Sequence, residues 1–165
     1  MLSEEKFTVG DIMIRANKRI KKDIKKGMFV ALLYAVLDGR NKILSFCSAG
    51  QTQPVYFSSK TGEARLQETL GDRFPLGILD EADYQETQIR LEPGDRLFFY
   101  TDGVVEAMNA NREIFGFDRV LEIVQKERAS GADVLLRKIL EQVKEFAGSA
   151  IQHDDITVIS VSVEP

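Results

Sequence analysis

The stretch FFYTDGVVEA, residues 98–107, ends an apolar run with an aspartate and a glycine and then resumes with two valines. Arg96-Leu97-Phe98-Phe99-Tyr100 is apolar enough to be read as a buried strand, so Asp102 arrives at the tip of an element that the core should cover. A carboxylate in that position is costly unless something positive meets it. The rest of the chain has to supply that compensation.

Working upstream, YQETQIRL alternates as a strand does and reaches Arg96 through a Pro93-Gly94-Asp95 turn. GDRFPLGIL reads as a loop around Pro75 and Gly77. PVYFSS and GEARLQ form a predicted hairpin across Lys60-Thr61-Gly62. MFVALLYAVLD and KILSFCSAG form another across Asp38-Gly39, and the first of these is so continuously apolar that it suits a central strand. Residues 8–26 predict a helix whose apolar face carries Val9, Ile12, Met13, Ala16, Ile20 and Ile24, with Gly27 as its stop. Its other face carries Arg15, Lys18, Arg19, Lys21, Lys22, Lys25 and Lys26, which suits either a solvated surface or a docking patch for an acidic partner.

Downstream of Asp102, residues 117–127 and 132–147 show helical spacing, and DITVISVSV is a β-branched, alternating final strand. Consecutive strands joined by short turns, then two helices, then a strand, predict antiparallel sheet with packed helices rather than a βαβ arrangement. GDRFPLG lacks the lysine and spacing of a phosphate-binding loop.

Composition narrows the function. The 165 residues carry 44% hydrophobic and 29% charged side chains, an ordinary globular balance for one domain. The net charge of −4 argues against binding nucleic acid by phosphate neutralisation. One cysteine, Cys47, rules out an internal disulfide and reads as a small buried hydrophobe. One histidine, His153, leaves no His-rich metal cluster. No apolar run is long enough for a membrane span and no signal-peptide pattern opens the chain, which predicts a cytoplasmic protein.

Two acidic positions touch apolar strands: Asp102 follows LFFYT, and Asp154-Asp155 precede ITVISVSV. Antiparallel neighbours can bring the end of one strand beside the start of the other. Converging carboxylates repel, and a divalent cation removes the conflict; oxygen donors without Cys or His favour Mg²⁺ or Mn²⁺. The same residues also suit an Asp-Gly turn and a helix-to-strand connector. No G-x-S-x-G elbow is present and the single histidine would have to serve as base, so no serine or threonine nucleophile is predicted.

LEPGDRLFFYTDGVVEAMNANREIFGFDRV together with HDDITVISVSV resembles the metal-dependent serine phosphatases of the SpoIIE and RsbU type, in the PPM superfamily. MFVALLYAVLD, LSFCSAGQTQPVYF and FPLGIL fall in the same order, so the resemblance covers nearly the whole chain. It implies an α/β (α+β) fold, a PPM-type antiparallel β-sandwich flanked by helices, with Mn²⁺ or Mg²⁺ at one end. It implies that a metal-activated water attacks the phosphorus of phosphoserine without a covalent phosphoenzyme. The matching metal positions are Asp102 and Asp154, with Asp155 the alternative if the register shifts by one. The substrate implied is a phosphoprotein such as an anti-sigma-factor antagonist, placing the chain in sigma-factor regulation.

The family's Gly-Gly-Asp and Gly-Asp-Val-Ser-Gly-His-Gly-like segments, whose acids bridge two metals, have no counterpart before the DIMIRANKRI helix, and Gln51 replaces the usual histidine after AG. The resemblance therefore implies a single domain over residues 1–165, N-terminally truncated and lacking the N-terminal strands. It implies weak metal binding and assigns no catalytic residue within the chain. The alternative is a catalytically inactive remnant or regulatory module of the same fold. MFVALLYAVL, the first strand present, should then lack a neighbour and drive self-association.

Overall fold

The computed structural model describes residues 7–164. Its elements form two compact units: the chain up to Gln51 with Thr69–Leu91, and Thr52–Glu68 with the chain from Glu92 on.

The first unit opens with helix α1 (Val9–Asp23). Thr8 starts it with a reciprocal cap, the Asp11 N–H donating to Thr8 Oγ1 (3.1 Å) and the Thr8 N–H to the Asp11 carboxylate (2.9 Å). Val9, Gly10, Met13 and Asn17 are its buried residues. Gly10 is required for that approach, since a Cβ there would stand 2.5 Å from the Tyr84 carbonyl oxygen. Asn17 fastens the loop after Pro75: its Oδ1 accepts from the Gly77 N–H (2.8 Å) and its Nδ2 donates to the Leu79 carbonyl (3.0 Å). The predicted apolar stripe is thus corrected at two places. Ile12 lies on the exposed flank, and the polar Asn17 takes an inward position because both halves of its amide are satisfied.

Strands β1 (Leu32–Asp38) and β2 (Ile43–Ala49) make the expected hairpin, Leu32 opposite Ala49 and Asp38 opposite Ile43. Asp38 shapes the turn by accepting from the Arg40 and Asn41 N–H groups, both at 3.0 Å. Two further strands, β3 (Val55–Ser58) and β4 (Glu63–Leu66), come next in sequence but belong to the second unit. β5 (Thr87–Arg90) then pairs with β2, so this antiparallel sheet runs β1-β2-β5. Its core gathers Val9, Met13, Cys47, Ala49, Leu76 and Tyr84. Cys47 is fully buried as the sequence predicts, and burial pushes its thiol up to about 11, with the Glu86 charge adding to the shift.

The central position that the apolar run of MFVALLYAVLD suggests is not what forms, whereas the expectation that this strand lacks a second neighbour is met among the described residues. β1 is an edge strand, half-buried at Leu32 and Leu33 and exposed from Tyr34 onward, because β2 is its one partner among the described residues. Val36 and Leu37 are 45% and 49% exposed, an apolar edge of the kind that recruits another chain.

The second unit holds the antiparallel sheet β4-β3-β6-β7, with β6 spanning Arg96–Tyr100 and β7 spanning Val158–Ser162. β5 and β6 are adjacent in sequence yet lie in different sheets. Helices α2 (Asp102–Val105), α3 (Gly116–Lys126) and α4 (Ala132–Ala147) complete the unit. Phe98, Val55, Val104, Phe115, Val120, Leu135 and Ile139 are essentially solvent-free in its core. Each such side chain stabilises the fold by about 1.5–3 kcal/mol relative to exposure.

The turn before β6 is built around a carboxylate that the sequence presents only as a turn residue. Asp95 is 1% exposed and accepts from the Tyr56 hydroxyl (2.6 Å), the Ser59 N–H (2.8 Å) and hydroxyl (2.9 Å), and the Glu92 N–H (2.9 Å). Burial would raise its carboxyl, but these hydrogen bonds outweigh it and hold the group below its ordinary value.

Candidate metal site

β6 and β7 run antiparallel from Arg96 opposite Ser162 to Tyr100 opposite Val158. The end of β6 therefore lies beside the start of β7, the adjacency inferred for Asp102 and Asp154-Asp155. Thr101 knits the two together. Its N–H donates to the Thr157 carbonyl (3.0 Å), and its hydroxyl accepts from the Thr157 N–H (2.9 Å) and donates to the Asp155 carbonyl (2.9 Å). A threonine in this position would ordinarily cap the helix that follows, but α2 has no side-chain cap because the Thr101 hydroxyl is spent across the sheet. The sequence marks Thr101 only by its place immediately before Asp102.

α2 also explains why an apolar pair follows the aspartate. One turn of helix folds Val104 and Val105 back into the core, at 0% and 4% exposure. Gly103 packs directly on the opposite segment, where a Cβ would meet the Asp155 carbonyl oxygen at 2.5 Å. Backbone thus touches backbone between the Asp102 turn and the Asp154-Asp155 segment.

The carboxylates themselves are exposed: Asp102, Asp154 and Asp155 all face solvent. This corrects the premise that Asp102 is buried at a strand tip and needs a cation to offset desolvation, since α2 turns it outward while the valines go in. Asp102 Oδ1 accepts from the Gly103 N–H (3.1 Å), and Asp154 Oδ1 from the Asp155 N–H (2.7 Å). His153 and Glu106 are exposed, and Glu106 closes α2 by donating its N–H to the Asp102 carbonyl (2.8 Å). Next to the acids, Gly103, Glu106, Met108, Val143, Lys144 and Asp154 line part of a groove of about 520 Å³.

The donor chemistry suits a hard cation, since carboxylate oxygens are what Mg²⁺ and Mn²⁺ take, and Mg²⁺ commonly keeps several waters with one or two carboxylates. The number of donors is small, however. Among the described residues no three His, Cys, Asp or Glu side chains are grouped to hold a metal ion. Asp11 is engaged in the α1 cap, and Asp72 accepts from the Asp83 N–H (2.8 Å).

Comparison with known proteins gives this arrangement a lineage. The pattern of the family described as Stage II sporulation protein E (SpoIIE) matches residues 1–164, and the chain belongs to that family of PPM-type serine phosphatases. It is 31% identical over 134 residues to Protein IcfG of Synechocystis sp., covering 81% of this chain and 20% of the relative. It is 24% identical over 158 residues to the phosphoserine phosphatase RsbU of Bacillus subtilis, covering 96% of this chain and 46% of the relative. The chain thus spans less than half the length of either curated relative. Among solved structures, the SiaA-PP2C domain of Pseudomonas aeruginosa shares the fold with a TM-score of 0.81 at 21% identity, over 95% of this chain and 61% of that one. RsbX, solved in complex with magnesium, shares it with a TM-score of 0.62 at 18% identity, over 93% of this chain and 64% of that one. The mixed α/β fold with antiparallel sheets is therefore the PP2C type.

Proposed function

We propose that this chain serves metal-dependent dephosphorylation of phosphoserine on a cytoplasmic signalling protein, such as an anti-sigma-factor antagonist. Asp102 and Asp154, with Asp155 as the alternative, would hold Mn²⁺ or Mg²⁺. The single observation that carries the reading is the β6–β7 pairing, which sets the Asp102 turn against the Asp154-Asp155 segment through Thr101 and Gly103. A bound cation would supply Lewis-acid polarisation of the phosphoryl group and an acidified water. The protein's own contribution is positional: Thr101 fixes the two segments, and the neighbouring groove offers space for a substrate segment. Calorimetric titration with Mn²⁺ tests this. Weak binding is expected for the unmodified chain and its loss in Asp102→Asn; unchanged binding in that variant would refute the ligand assignment.

A second reading, an inactive remnant or regulatory module of the same fold, is favoured by one observation: among the described residues no three His, Cys, Asp or Glu side chains are grouped to hold a metal ion. In either case the open β1 edge is expected to drive pairing with a second copy. Light scattering at micromolar concentration should show species above 18.6 kDa. A concentration-independent monomer would mean that the edge is covered.

A further inference from the structure

The strongest charge asymmetry in the molecule lies outside the candidate metal site. Residues 15–26 contain seven basic and one acidic side chain, whereas the rest of the chain has 15 basic and 25 acidic. A patch of about +6 is therefore set on a remainder of about −10. Parts of the patch are neutralised locally. Arg19 pairs with Asp23 at 2.8 Å and Lys21 with Asp80 at 3.5 Å, while Lys21 also donates to the Ile78 carbonyl (2.7 Å) and Arg15 lies over the Phe7 ring. Lys18, Lys22, Lys25 and Lys26 have no ion pair among the described residues. Cations in the last turn of α1 complement the helix dipole, but that accounts for Lys21 and Lys22 and not for what stands beside them.

What stands beside them is apolar and exposed. A turn closed by the Met28 N–H donating to the Lys25 carbonyl (3.0 Å), with Gly27 at φ +89°, delivers Met28 and Phe29 to the surface at 57% and 58% exposure. With Ile24, Ile78, Lys25 and Lys26 they line a groove of about 580 Å³ within the first unit. Ile78 is 42% exposed. Solvated lysines alone would be unremarkable, and so would one exposed apolar residue. Together they form an apolar groove with a cationic rim, the complement of an acidic segment that carries large apolar side chains.

We infer that the groove at the C-terminal end of α1, walled by Met28, Phe29 and Ile78 and rimmed by Lys25 and Lys26, docks an acidic, apolar-containing segment of a partner protein. A segment of protein fits better than an anionic bilayer because the apolar residues line a recess. In addition, α1 already spends its own apolar face on the core around Val9 and Met13, so it is not free to lie in a membrane interface.

The experiment uses the full chain and a fluorescein-labelled decapeptide of Glu, Asp, Leu and Phe, followed by anisotropy. Saturable binding is expected. It should weaken roughly tenfold or more in Lys25→Gln/Lys26→Gln, in Phe29→Ser, and when Leu and Phe of the peptide are replaced by serine. Raising NaCl from about 50 to about 300 mM should weaken it as well, because the rim charges are exposed and screened. Circular dichroism shows whether the variants remain folded, and the salt and peptide comparisons on the unmodified chain stand without them. The inference is overturned by absence of saturable binding. It is also overturned by equal binding of the serine-substituted peptide, which would mean charge alone, or by preferential sedimentation with phosphatidylcholine/phosphatidylserine vesicles, which would mean a lipid surface.

Discussion

Asp95→Ala is expected to destabilise the unit that carries β6 by about 3–5 kcal/mol, a large share of the roughly 5–15 kcal/mol that holds an ordinary domain folded. The carboxylate is nearly solvent-free and gathers four donors from three residues: Tyr56 on β3, Ser59 directly after it, and Glu92 before the turn. Removing it leaves those donors without their acceptor, and buried donors without partners cost about 1–3 kcal/mol each, less than additively. A urea titration measures the loss; a shift of the midpoint worth under about 1 kcal/mol would show that water replaces the carboxylate. The group also sets an acid limit. Its folded carboxyl lies below its ordinary 3.8, so it contributes stability above that value and loses it as pH falls through the lower folded one. Stability should therefore decline below about pH 4, and the decline should be shallower in Asp95→Asn if that variant folds.

With Mn²⁺, turnover of p-nitrophenyl phosphate by these 165 residues is expected at or near background. Each ~1.4 kcal/mol of lost transition-state stabilisation is tenfold in rate, and a two-metal clamp supplies several such increments. Asp102, Asp154 and Asp155 are exposed, and among the described residues no three His, Cys, Asp or Glu side chains are grouped to hold a metal, so one hydrated cation on one or two carboxylates is the most expected here. Robust turnover that disappears in Asp154→Asn would reverse this and require a further acid. Asp11 and Asp72 would be the first to test, although the Asp11 carboxyl is held low by hydrogen bonds from Thr8, and Asp72 is occupied by the Asp83 N–H.

Much of this arrangement was legible in the sequence. Turn residues at Asp38-Gly39 and Lys60-Thr61-Gly62 place both hairpins, and the apolar runs on either side of residues 102 and 155 announce the β6–β7 pair. Less legible was anything that depends on which face a segment presents. Residues 28–38 are apolar on both faces, which reads as burial, whereas β1 ends as an edge for want of a second neighbour among the described residues. Asp102 reads as a buried strand tip, whereas one helical turn reverses its direction and sends Val104 and Val105 inward in its place. Apart from the Glu92 N–H, Asn17 and Asp95 are buried for partners that lie 36 to 62 residues away, and no local pattern encodes those.

The Thr101–Asp155 hydrogen bond spans 54 residues, and this has a consequence for when the site exists. α3 and α4 lie in the intervening chain, and closing so long a loop costs entropy that grows by about 0.6 kcal/mol per doubling of length. β7 can align with β6 economically only after those helices have compacted the span between them. During synthesis at about 5–20 residues per second, Asp102 is made about 3–10 s before Asp155. For that interval the turn at Asp102 has no opposing segment, and Val104 and Val105 wait on a core not yet closed. The two halves of the candidate metal site are thus brought together only once β7 pairs with β6, after the helices between them have been made.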